Sequence, residues 1–262
     1  MCSSDLFGSS FFIAFLLGIG LPAWWLGYLA LLARPVGNGS LEGLEWYPVG
    51  HLVTWAAILS AAVVIGAMLS LGTDMETFRD ALRKGFERML DLKGRGSAGT
   101  PTARQEGLSR LVEFLVIALP PAAAVLTTII SVVNLWIAER IVKISGRLKR
   151  PPSDLSAMHF PVYAPALTGV AIAGSFLPGM IGVIAGVLGA SMLMAYAILG
   201  FAVLHAITRG MNSRPFTLGG TYAVVIIFGW PMLGMALLGL ADTAFDIRGR
   251  VAQKRGPHNP QS

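Results

Sequence analysis

Cysteine is nearly missing: Cys2 is the single one in 262 residues. An internal disulfide is thereby excluded, as is any zinc or iron–sulfur site built on several thiolates. Charge is scarce as well, at 13% of residues, about half of the ~25% that an ordinary soluble domain carries. That leaves no room for a sizeable water-soluble domain. The chain also lacks the phosphate-loop pattern GxxxxGK[ST], the nucleophile-elbow pattern GxSxG and the zinc pattern HExxH. No His, Asp and Glu gather at metal-ligand spacing. Without a nucleophile–base pair or a metal set, the sequence predicts a protein that is not an enzyme and uses no cofactor or metal.

What is present is apolar. Hydrophobic residues make up 54% of the chain, mean hydropathy is +0.66, and the charges sit between long apolar runs. This is the pattern of an all-α, polytopic transmembrane bundle. A net charge of +6 would suggest nucleic acid in a soluble chain. Here Lys and Arg flank spans, so the expected partners are membrane lipids and not nucleic acid.

Pro120–Arg150 shows the pattern most fully. Pro120-Pro121 suits the first turn of a helix, where a missing N–H is harmless. An uncharged run follows to Ala138, with Trp136 near its end as an interfacial aromatic. Arg140, Lys143, Arg147, Lys149 and Arg150 then form a cationic collar at the membrane surface. Six spans are expected, at about 11–33, 50–72, 111–138, 162–177, 190–208 and 218–240. A short broken piece is expected near Gly182–Gly189, and a kink at Pro231. Leu108–Leu119 either continues into the third span or lies at the interface before it.

A surface helix is expected over 73–92. Thr73 and Glu76 read as a capping box, and Met75, Phe78, Leu82, Phe86 and Met89 recur at helical spacing among charges. Such a helix lies on the membrane or packs on neighbouring helices. Gly94–Thr102 reads as a flexible loop, and 251–262 as a disordered tail. A slight Lys/Arg excess on the face that holds 73–107 and the tail puts the tail in the cytoplasm. Met1–Leu6 reads as a translated sequencing adapter, which predicts a chain starting part-way through its gene, with earlier spans missing.

Asn134, within a turn of the third span's end, is a candidate substrate-binding amide or an interhelical clamp. His205, late in the fifth span, is an ionisable candidate for the same site. Gly182, Gly186 and Gly189 form a small-residue stripe that either docks a partner or packs internally. Arg110 and Glu113 are expected to pair locally. Thr127, Thr128 and Ser131 can bond their own helix carbonyls, so they carry little functional weight.

Four segments carry a family resemblance: LPAWWLGYLALLARP (Leu21–Pro35), LEWYPVGHLVTWAA (Leu44–Ala57), NLWIAERIVKISGRLKRP (Asn134–Pro151) and GFAVLHAI (Gly200–Ile207). Together they resemble the bacterial DUF2232 integral membrane proteins, which include the YybS-like proteins. The resemblance implies a multi-pass protein of the bacterial cytoplasmic membrane, with further spans ahead of this sequence. It also implies a fold similar to the substrate-binding S components of energy-coupling-factor (ECF) vitamin transporters. On that footing the chain would capture a small molecule and dock on an ATPase-driven module. No vitamin-binding signature matches, so the ligand is left open. The competing expectation is a membrane scaffold that interacts through 73–92 and the collar at 140–150.

Overall fold

The computed structural model describes residues 11–35, 44–92, 101–151 and 158–255. The adapter-like start, most of the 94–102 loop and the last seven residues lie outside the described part. Nine helices and one β-ribbon make up the described part. They are α1 (Phe11–Leu31), β1 (Ala33–Pro35), β2 (Leu44–Trp46), α2 (Val49–Leu71), α3 (Met75–Leu92), α4 (Pro101–Ile144), α5 (Ala164–Gly174), α6 (Gly179–Ile207), α7 (Arg214–Phe228), α8 (Pro231–Phe245) and α9 (Ile247–Arg255). Four helices are long and apolar enough to cross a membrane: α1, α2, α4 from Ser109 onward, and α6; α5, α7 and α8 are shorter apolar helices. The all-α membrane bundle is there, with the antiparallel β1–β2 ribbon as its one sheet among the described residues.

The six expected spans are cut differently. Pro120 and Pro121 do not open a helix; they lie inside α4, which runs unbroken from Pro101. Two lost N–H groups do not end it, because hydrocarbon offers no water to an unwound backbone. Buried Val112 and Val116 before the prolines and Ala124 and Thr128 after them hold both halves in place. The fifth span is likewise unbroken at Gly182–Gly189 and begins at Gly179. The sixth is split. Gly229 takes a left-handed φ of 70°, α7 stops there, and Pro231 sits in the first turn of α8 instead of kinking a longer helix. The tail is helical to Arg255, which carries order into the 251–262 segment expected to be disordered.

The fourth span shrinks to the 11 residues of α5, about 16 Å of helix against a core of ~30 Å. Its flanks make up the length. An added Cβ on Gly50, at the start of α2, would overlap the His159 carbonyl, and one on Gly182 would overlap the Leu177 carbonyl near the start of α6. The chain from Met158 to Leu177 therefore leads from one end of the bundle to the other.

α6 is the axis. Tyr196, Met192, Leu199 and Val203 are fully buried in a core shared with Val53, Phe160 and Met235, and α6 packs on α2, α4, α5 and α8. A hydroxyl chain ties three of these helices together. Ser191 donates to the Ala57 carbonyl at 2.7 Å, and its Oγ lies 2.7 Å from that of Thr128. Thr128 does bond the Ala124 carbonyl, as the sequence led one to expect, but it also links α4 to α6.

α3 docks at the end where α2 finishes. Phe78 is buried with Met68, Val112 and Val116, against Val183 and Ile184. Its cap is Asp74, not Thr73: the Thr77 N–H donates to Asp74 Oδ1 at 2.9 Å and the Thr77 hydroxyl to Oδ2 at 2.6 Å. The carboxylate, one residue nearer the helix and with two acceptor oxygens, reaches both donors of Thr77. These bonds, the hydroxyl's first, hold the Asp74 carboxyl below its ordinary range. A depressed carboxylate adds stability that is present above its unfolded pKa and lost as pH falls through its folded one. Hydrogen exchange of the first turn of α3 should therefore be faster in Asp74→Ala than in the parent at neutral pH. The difference should vanish once the carboxyl is protonated, and a difference that persists in acid would refute the cap.

Candidate functional site

Where α2 begins and α4 ends, opposite to α3, the bundle does not close. A cavity of about 450 Å³ lies between α1, α2, α4 and α6, within the ~300–1,000 Å³ usual for small-molecule sites. Gly27 and Ala30 of α1, Leu52 and Val53 of α2, and Ile198 of α6 form much of its wall. The α4 wall runs from Val132 to Val142, about 15 Å at the helical rise. Leu31, Trp136 and Val133 line it and are exposed, so the cavity is open on the side between α1 and α4.

Two charged side chains reach this apolar space, Glu139 and Arg150. Arg150 Nη2 donates to the Tyr47 carbonyl at 2.9 Å and Nη1 to the Ala30 carbonyl at 3.3 Å. Burial pulls its pKa down, against the attraction of Glu139; a guanidinium stays charged all the same. The Tyr47 hydroxyl accepts from Trp55 Nε1 at 3.1 Å, and Trp55 meets Trp25 edge-on at 5.7 Å. An aromatic cluster thus fixes the backbone to which the arginine is pinned. The β-ribbon lies at this end, with Arg34 and Glu45 paired on its exposed side.

The expected site residues fall elsewhere. Asn134 is exposed on α4 and off the cavity wall, although Val133 and Leu135 beside it are on that wall. No side-chain hydrogen bond of Asn134 to another helix, as a clamp would need, is present among the described residues. His205 donates Nδ1–H to the Phe201 carbonyl at 2.9 Å and stands edge-on to Tyr222 at 6.0 Å, also outside the cavity. Gly182 and Gly189 are buried. Gly189 faces Ala171 of α5, and Gly186 faces Ser175 and Pro121, so this stripe packs within the bundle. Arg110 and Glu113 are both exposed, and no ion pair joins them.

The collar divides. Arg140 lies over the Trp136 ring at 5.4 Å, and Lys143, Arg147 and Lys149 are exposed. Arg150 turns inward. No sequence signal marks that direction, because Arg150 belongs to the same basic run as Arg147 and Lys149. The buried pair Asp242–Arg248 gave no signal, since a separation of six residues is not a helical neighbour spacing.

A family model described as a predicted membrane protein, DUF2232, matches residues 6–243. The chain belongs to this family. Neither the curated proteins nor the solved structures contain a match to it. The DUF2232 region takes in every helix that borders the cavity, together with the β-ribbon and Arg150. Among the described residues of this DUF2232 protein, no three His, Cys, Asp or Glu side chains come together as metal ligands would.

Proposed function

We propose that this DUF2232 protein is a substrate-capturing membrane subunit, acting by binding and not by catalysis, which presents a small molecule to an ATP-driven partner module. The carrying observation is the side-opening cavity with one pinned arginine, a concave apolar space with few, placed polar groups. The partner half of the reading rests on the similarity in fold to the S components of ECF transporters that the family resemblance implies. In this reading the protein sits as a multi-pass protein in the bacterial cytoplasmic membrane, with the exposed members of the collar against anionic head groups.

A scaffold that docks through 73–92 is the weaker alternative, because the apolar face of α3 is used within the protein itself. Affinity purification of the intact gene product from native membranes tests the choice. Two ATP-binding subunits and a coupling membrane protein should co-purify. Recovery of envelope or biogenesis proteins alone would overturn the transport reading.

A further inference from the structure

Resting on the small-molecule reading of this cavity, we infer that its occupant is a single-chain anionic amphiphile: a carboxylate or phosphate head held by Arg150, with its apolar chain laid along α4 from Val142 toward Val132. Three observations converge. The cavity wall is almost wholly apolar and about 15 Å long on its α4 side, which suits a chain and not a polar nutrient. It opens sideways beside exposed Leu31 and Trp136, the route by which a lipid-dissolved molecule would enter. Its cation is at the end where the chain leaves the bilayer core, next to exposed Lys143, Arg147 and Lys149, where an anionic head would lie.

The geometry of Arg150 fits that task. Two of its five N–H donors are spent on the Tyr47 and Ala30 carbonyls, which fixes the plane of the fork for a planar or tetrahedral anion. Glu139 shares the wall and attracts the same guanidinium, so it competes with an incoming head. Gly27 offers a clean way to fill the cavity: a Cβ there meets nothing within 4 Å, and Leu is the better helix former.

The experiment is native mass spectrometry of the full-length protein released from a neutral detergent, titrated separately with dodecanoate, dodecyl phosphate and dodecanol. One or both anions should bind at least about tenfold tighter than the alcohol; binding of one anion alone identifies the head. Arg150→Gln should weaken anion binding roughly ten- to hundredfold. Arg150→Lys should restore part of it, Glu139→Gln should strengthen it, and Gly27→Leu should abolish it. Equal binding of dodecanol, or no effect of Arg150→Gln, overturns the anionic assignment and leaves the cavity reading intact. Failure of all three probes, or unchanged binding by Gly27→Leu, overturns the cavity reading with it.

Discussion

Asp242→Ala is expected to lower stability by about 3–5 kcal/mol, the usual cost of stranding one member of a buried ion pair. The side chains of Asp242 and Arg248 are only 2% and 9% exposed. Asp242 Oδ2 accepts from Arg248 Nη2 at 2.8 Å and Nε at 2.9 Å, while Oδ1 takes the Arg248 backbone N–H at 3.1 Å. Arg248 Nη2 also donates to the Met158 carbonyl at 2.8 Å. One pair thus fastens the end of α8, the start of α9 and the strand of chain entering α5. Removing the carboxylate takes the Asp242 charge and its contacts away from a guanidinium in an enclosed space. Arg248→Met should be similarly harmful, since it leaves the carboxylate buried with one backbone donor. The double variant Asp242→Leu, Arg248→Met should recover much of the loss, because a buried pair is often replaceable by apolar groups. Unfolding in mixed micelles measures all three. A loss below about 1 kcal/mol in Asp242→Ala would show that the pair is solvated and the latch absent.

The second large effect lies on the axis. Gly200→Val should cost about 3 kcal/mol or prevent assembly of α8 on α6. An added Cβ at Gly200 would overlap the Met235 carbonyl, and one at Gly239 would overlap the Tyr196 carbonyl. The contact is reciprocal and the obstacle is backbone on both sides, so no side-chain rotation relieves it. Small residues here let α6 and α8 approach to a distance that any branched side chain forbids. Gly234→Ala is the matched control. It stands on α8, the helix of Gly239, with nothing within 4 Å of its Cβ, and it should be neutral or stabilising by up to about 1 kcal/mol. Equal losses in the two variants would mean that the close approach of α6 and α8 at Gly200 is not what the substitution breaks.

These two sites mark where reading the chain residue by residue stops. Gly200 and Gly239 look like any other glycines in apolar helices, and nothing local separates them from Gly234. The same holds for arginine: Arg147, Lys149 and Arg150 form one basic run, yet only the last is folded against carbonyls of α1 and the ribbon. The expected site residues lie off the cavity wall for a related reason. Asn134 and His205 were chosen as polar groups inside apolar runs, which measures cost in hydrocarbon but not the direction in which a side chain points. A shift of one residue, from Asn134 to Val133 or Leu135, separates outer surface from cavity wall.

The sequence alone determined that this is a helical membrane bundle, since runs without charge longer than the hydrocarbon thickness have no other stable form. It also determined the family, the amphipathic helix after α2 and the basic exit of α4, all of which are local in the chain. Only the tertiary structure decided which breaks matter. Pro120 and Pro121 are carried through a continuous helix because packing on both sides holds it. Gly229 ends one helix because its φ of 70° lies outside the right-handed helical region. Tertiary structure also decided where the bundle stays open, because a cavity is what several helices fail to fill together, and no single helix records that failure.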